Sequence, residues 1–129
     1  MTALEPVDTE GARALVVDDD ASGRGAVADA LRRRGWSVVT LDRAAAAVER
    51  VGEHEYDLVI LDVVMPGMGG LEACRLIKSV TRERFLPVVL VTSRSDTASR
   101  IEGLRIGADD YVAKPFDERE LNARAEALL

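Results

Sequence analysis

Leu58-Val59-Ile60-Leu61-Asp62-Val63-Val64-Met65-Pro66-Gly67-Met68-Gly69-Gly70 decides the reading of this chain. Four apolar residues in a row suit a strand covered on both faces, as in a parallel sheet. An acid follows at once, then a turn rich in Pro and Gly. A helical pattern comes next, with Ala73, Leu76, Ile77 and Val80 expected inward. The same order recurs on both sides. Upstream, Arg13-Ala14-Leu15-Val16-Val17 is a first strand, followed by Asp18, Asp19 and Asp20. Val27, Ala30, Leu31 and Arg34 then keep helical spacing, and Gly35 is a left-handed stop. Ser37-Val38-Val39-Thr40 is a second strand. Asp42 is expected to cap a helix carrying Ala44, Ala47, Val48 and Val51, closed by Gly52. Downstream, Pro87-Val88-Val89-Leu90-Val91 is a fourth strand. A weaker helix uses Ala98, Ile101 and Leu104 and ends at Gly107. Tyr111-Val112-Ala113 is a short fifth strand, and Asp117 caps a last helix through Leu121, Ala125 and Leu128.

Five strand–helix units in strict alternation predict an α/β fold, a doubly wound parallel sheet with helices on both faces. In such sheets ligands bind at the carboxyl ends of the strands, near the switch in strand order. The residues after each strand therefore carry the function. They are Asp18, Asp19 and Asp20, then Asp62, then Thr92 and Ser93, then Lys114 and Pro115. Each alone has a plain reading as a cap, a turn residue or a solvated side chain. Their joint placement at one sheet edge speaks for a shared site. Crowded carboxylates repel unless cations offset them. Oxygen ligands without nearby His or Cys favour a hard ion, Mg²⁺ before Zn²⁺. A lysine and a hydroxyl suit a phosphoryl group's oxygens, and a free carboxylate can form an acyl phosphate.

Composition narrows the alternatives. The 129 residues predict one domain. Residues 1–11 are polar and aperiodic, a loosely ordered lead-in to a domain over 12–129. The net charge of −6 argues against a nucleic-acid or anionic membrane surface. One cysteine, Cys74, excludes an internal disulfide and a multi-cysteine metal site. No apolar run is long enough to span a membrane, and no secretory signal opens the chain, so a cytoplasmic location is expected. His54 reads as solvated, Arg32-Arg33-Arg34 as a solvated helix end, and Trp36 and Cys74 as packing residues.

The four stretches Leu15-Val16-Val17-Asp18-Asp19-Asp20, Leu61 to Gly70, Val91-Thr92-Ser93 and Gly107-Ala108-Asp109-Asp110-Tyr111-Val112-Ala113-Lys114-Pro115-Phe116 resemble the receiver domain of a two-component response regulator. The resemblance covers about residues 12–129. It implies a flavodoxin-like fold with strand order 2-1-3-4-5. By position it implies that Asp62 is the phosphoacceptor. Asp19, Asp18 (through water), Asp62 and the Val64 carbonyl would hold Mg²⁺. Lys114 and Thr92 would meet the phosphoryl group, and Tyr111 would change rotamer with Thr92. A cis bond between Lys114 and Pro115 is also implied. Gly69 departs from the family's usual Asp at what looks like a helix cap. Val64 and Arg94 stand where the family lines the path of the hydrolytic water, so a long-lived acyl phosphate is expected.

The implied partners are a sensor histidine kinase or a phosphotransfer protein, with an output domain beyond Leu129 expected. A homodimer through helix four, strand five and helix five is a further expectation. Arg100, Asp109, Asp110, Glu120 and Arg124 stand there, while Glu102, Arg105 and Glu126 depart from the charges of the DNA-binding branch. The domain would be a switch, not an enzyme, apart from self-phosphorylation and slow autodephosphorylation. Three other readings compete. Asp18-x-Asp20-x-Ser22 resembles the nucleophile loop of haloacid dehalogenase-type phosphatases, but leaves Asp62 unexplained and has its lysine after the last acidic pair. A flavin or nucleotide binder would need a phosphate cradle where three aspartates stand. An unphosphorylated scaffold would not need the complete set.

Overall fold

The computed structural model describes residues 11–93 and 95–129. The expected lead-in over 1–11, apart from Gly11, and Arg94 lie outside them. Five strands alternate with five helices: β1 (Arg13–Val17), α1 (Ala21–Arg32), β2 (Ser37–Leu41), α2 (Ala44–Glu53), β3 (Leu58–Asp62), α3 (Gly70–Val80), β4 (Val88–Ser93), α4 (Thr97–Arg105), β5 (Asp110–Lys114) and α5 (Glu118–Ala127). All pairings are parallel and the order is β2-β1-β3-β4-β5. The order reverses between β1 and β3, so Asp18 and Asp62 flank the switch point where this architecture opens a crevice.

Side chains alternate along each strand into two cores. Leu15, Val17, Val59, Leu61, Val88 and Leu90 pack under α2 and α3 through Ala44, Ala47, Val51, Ala73, Cys74 and Ile77. Ala14, Val16, Leu58, Ile60, Val89 and Val91 pack under α1 and α5 through Val27, Ala30, Leu31, Leu121 and Ala125. Both faces are covered, which is why the strands read as continuous apolar runs. Gly35 and Gly107 take φ values of 94° and 107° and end the turns after α1 and α4 as expected.

Several local expectations are corrected. Asp42 does not cap α2; Arg43 holds the cap position without a side-chain bond, and the helix runs past Gly52 to Glu53. Val80 is 55% exposed. The buried line of α3 runs from Gly70 through Ala73, Cys74 and Ile77 and continues to Thr81, whose hydroxyl bonds the Ile77 carbonyl at 2.7 Å. The expected stripe of α4 is also turned outward, with Ala98, Ile101 and Leu104 exposed and Gly103 its only buried residue. A Cβ on Gly103 would stand 2.3 Å from Leu90 Cδ1, so the helix backbone lies against β4 there. The arginines after α1 are paired, not merely solvated: Arg33 bridges Glu118 and Arg34 bridges Glu126 at 2.9 Å, tying α1 to α5. Trp36 and Cys74 are buried, and His54 is exposed, as read.

Candidate functional site

Three strand ends deliver the acidic and basic groups to one edge of the sheet. Asp18 leaves β1 and Asp62 ends β3, and both are buried although charged. Asp19 is exposed beside them. One carboxylate oxygen from each of Asp18, Asp19 and Asp62 lies within 4.8 Å of the others. Lys114, the last residue of β5, sets its Nζ 2.5 Å from Asp62 Oδ2 and 3.7 Å from Asp18 Oδ2.

Local backbone holds these side chains in place. The Val64 N–H donates to Asp62 Oδ1 at 3.0 Å, and the Asp20 N–H donates to Asp18 Oδ1 at 2.9 Å. Asp20 itself caps α1, accepting from the Gly23 N–H at 2.9 Å. A Cβ on Gly23 would stand 2.8 Å from Asp18 Oδ2, so this glycine leaves room for the carboxylate. Arg24, which the sequence reading passed over, donates to the Asp18 carbonyl at 2.9 Å. Its signal was position, in the first turn behind three aspartates.

The electrostatics follow from the crowding. Burial raises the Asp18 carboxyl above the usual carboxylate range, and the charge of Asp62 adds to the rise. The Asp20 N–H and Lys114 oppose it. Burial works against the Lys114 charge. The hydrogen bond and charge of Asp62, with Asp18 and Asp20, outweigh it and hold the ammonium above its ordinary value. The all-carboxylate donor set suits Mg²⁺ by its chemistry, since a hard ion takes one or two carboxylates and keeps waters for an incoming oxygen. A dication there would also relieve the repulsion that Lys114 partly offsets.

Thr92 lies near the end of β4, in register with Ala113, one residue before Lys114. Its Oγ1 is buried and has no hydrogen-bond partner among the described residues. An orphaned buried hydroxyl costs stability in this arrangement and so favours any state that gives it a partner. Tyr111 is half-buried on the same face of the sheet, and its hydroxyl accepts from Arg100 Nη2 at 2.6 Å. Val64 is 75% exposed at the rim. Gly69 holds the N-cap position of α3, and the Lys114–Pro115 bond is cis, as expected.

The charges on the α4, β5 and α5 face are largely engaged within the chain. Arg124 reaches both oxygens of Asp110 at 3.0 Å and Glu120 at 3.4 Å. Asp109 turns away from that face, bonding Lys78 at 2.6 Å and the Val88 N–H at 2.8 Å. Glu126 is taken by Arg34. A depression of about 460 Å³ lined by Lys78, Thr81, Arg84 and Phe85 lies at the α3–β4 corner, and none of the site residues lines it.

The family profile for the response regulator receiver domain matches residues 14–126. The transcriptional regulatory protein GltR of Pseudomonas aeruginosa is 42% identical over 123 residues, covering 95% of this chain and 51% of that protein. The DNA-binding response regulator MtrA of Mycobacterium tuberculosis is 40% identical, covering 95% of this chain and 53% of that one. The chain thus spans about half the length of these relatives. The crystal structure of the receiver domain of NtrX from Brucella abortus superposes with a TM-score of 0.84 at 32% identity, over 90% of this chain and 97% of that one. Profile, relatives and fold agree, and the chain belongs to the response regulator receiver domain family.

Proposed function

We propose that this domain accepts a phosphoryl group on Asp62 and converts it into a change of the face formed by α4, β5 and α5. The observation that carries the reading is the contact of Lys114 with Asp62 at 2.5 Å beside the carboxylates of Asp18 and Asp19. The donor is a phosphohistidine of a sensor kinase or phosphotransfer protein. A carboxylate oxygen of Asp62 forms a bond to phosphorus. The phosphorus–nitrogen bond of the donor breaks, and its electron pair leaves on the imidazole. Asp18, Asp19, Asp62 and the Val64 carbonyl would hold Mg²⁺, which supplies positive charge against the phosphoryl oxygens. Lys114 turns from the Asp62 carboxylate to the new phosphoryl oxygens, and the Thr92 hydroxyl donates to another. Thr92 thereby gains the partner it lacks among the described residues. Its movement vacates space into which Tyr111 rotates, so a local charge event biases a two-state surface.

The domain works as a cytoplasmic switch with one phosphorylation per cycle, not as an enzyme turning over a substrate. No described helix is long and apolar enough to cross a membrane. Residues 12–129 form the switching unit, with 1–11 as its lead-in. The greater length of the relatives supports a linked output domain, and dimerisation through α4, β5 and α5 would transmit the change.

The test is intact mass after incubation with a small acyl phosphate. One added phosphoryl group is expected with Mg²⁺, and none in excess chelator or in Asp19→Ala. Normal labelling of Asp19→Ala would contradict the reading. Hydrogen exchange with beryllofluoride should change protection across 92–126, and less so in Thr92→Ala. Changes confined to the loop after Asp62 would remove the switch from the account.

A further inference from the structure

Helix α4 has little grip on the sheet. Ile101 and Leu104 stand 49% and 52% exposed, and only Gly103 is buried. That glycine sets the helix backbone against Leu90. One turn earlier, the guanidinium of Arg100 lies over the Tyr111 ring, with Cζ 4.3 Å from the centroid. Its Nη2 donates to the Tyr111 hydroxyl at 2.6 Å. The Arg100 Nε is buried without a hydrogen-bond partner among the described residues, so one of its donors is given up to keep the stack. Leu90 and Tyr111 are directly paired across β4 and β5. Two contacts of α4 therefore fall on one cross-strand pair, Gly103 on Leu90 and Arg100 on Tyr111.

We propose that Arg100 is a positioning residue that latches Tyr111 to α4, so that rotation of the tyrosine releases the helix. The inference rests on the reading of Tyr111 as the residue that moves. No carboxylate among the described residues forms an ion pair with Arg100. Asp110, its neighbour on β5, is taken by Arg124. A ring face and a phenol oxygen hold a guanidinium less firmly than a carboxylate fork does. The latch is thus strong enough to set the resting arrangement and weak enough to open. If Tyr111 rotates inward, Arg100 loses the stack and the hydrogen bond in one step, and α4 keeps only the backbone contact at Gly103 and the packing of Ile106 at its end among the described residues. The paired contacts bias the closed arrangement by about tenfold.

The chain labelled with 3-fluorotyrosine has two reporters, Tyr56 and Tyr111, and Tyr56→Phe assigns them. In Arg100→Ala, without any phosphodonor, the Tyr111 signal should move toward its position with beryllofluoride. Hydrogen exchange over 97–105 should quicken about tenfold while α5 stays unchanged. Alanine favours helix, so propensity alone predicts slower exchange. Arg100→Lys keeps the charge, loses the planar stack and should fall between. In a Tyr111→Ala background, Arg100→Ala should add less than a twofold change. An unmoved Tyr111 signal, or equal acceleration with and without Tyr111, overturns the proposal. The exchange experiment needs no phosphoryl group, so failure of Asp62 to be modified would remove the trigger and leave the latch standing.

Discussion

Gly70→Ala should damage the site through the backbone alone. Gly70 opens α3 and donates its N–H to the Val63 carbonyl at 2.9 Å. A Cβ at this position would stand 2.1 Å from the Asp62 carbonyl oxygen, 2.8 Å from its carbon and 2.9 Å from Val63 Cα. Cβ atoms do not approach closer than 3.0 Å, so a main chain must retreat by about 1 Å. No rotamer relieves this, because every clashing atom is backbone. Overpacking of this kind costs about 1–3 kcal/mol. Alanine returns at most about 1 kcal/mol of helix propensity, and less at a helix end. The net loss is about 1–2 kcal/mol, or a urea midpoint lower by about 1 M. The retreat also shifts Asp62 and Val64, so phosphorylation should slow by more than the stability loss explains. Gly25→Ala is the control. It lies inside α1 with nothing within 4 Å of its Cβ, and should gain about 0.5–1 kcal/mol. Both variants are measured by urea unfolding and by labelling rate in native buffer. If Gly70→Ala is as stable and as readily labelled as the parent chain, the close approach of α3 to Asp62 is refuted.

Burial pushes the Cys74 thiol up to about 11. Measured from the ordinary value of 9.0, thiolate at pH 8 then falls about a hundredfold, so a disulfide reagent should react with the native chain far more slowly than with the unfolded one. Fast native labelling would contradict its burial on the inner face of α3. Val64 stands exposed beside Asp62 and cannot orient a water. Val64→Asn should speed loss of the phosphoryl group several-fold, read by intact mass over time; an unchanged or slower rate counts against a gating role for this position. Asn122 is buried and donates to the Ala30 carbonyl at 3.2 Å, with its Oδ1 unpartnered among the described residues. Asn122→Leu removes that orphan but strands the Ala30 carbonyl and should cost about 1–3 kcal/mol, whereas Asn122→Asp, which also buries a charge, should lose about 3 kcal/mol or more.

What the sequence made legible was the strand ends. Continuous apolar runs mark strands covered on both faces, and the residue after each run is placed by topology rather than by a side-chain contact. Asp18, Asp62 and Lys114 could be read for that reason. The register of α4 could not. Its periodic residues, Ile101 and Leu104, look inward on a helical wheel, but the close approach at Gly103 turns them out. An absent side chain leaves no apolar signal. The pairing of Arg33 with Glu118 and of Arg34 with Glu126 was hidden for another reason. It depends on α1 lying beside α5, across separations of 85 and 92 residues. Arg100 carried a charge that suggested an intermolecular partner, and only geometry reveals the ring it stacks on. Trp36 precedes β2, so the strand's length, about 16 Å, separates it from the acidic edge and makes it a poor reporter of metal there.

Asp62 alone should carry the phosphoryl group. Borohydride reduces an acyl phosphate on aspartate to homoserine, and peptide mapping then locates it. After incubation with Mg²⁺ and a small acyl phosphate, the account predicts homoserine at residue 62 alone, and none anywhere in Asp62→Asn. Homoserine at residue 18, or labelling that persists in Asp62→Asn, would contradict it and favour a nucleophile at the end of β1.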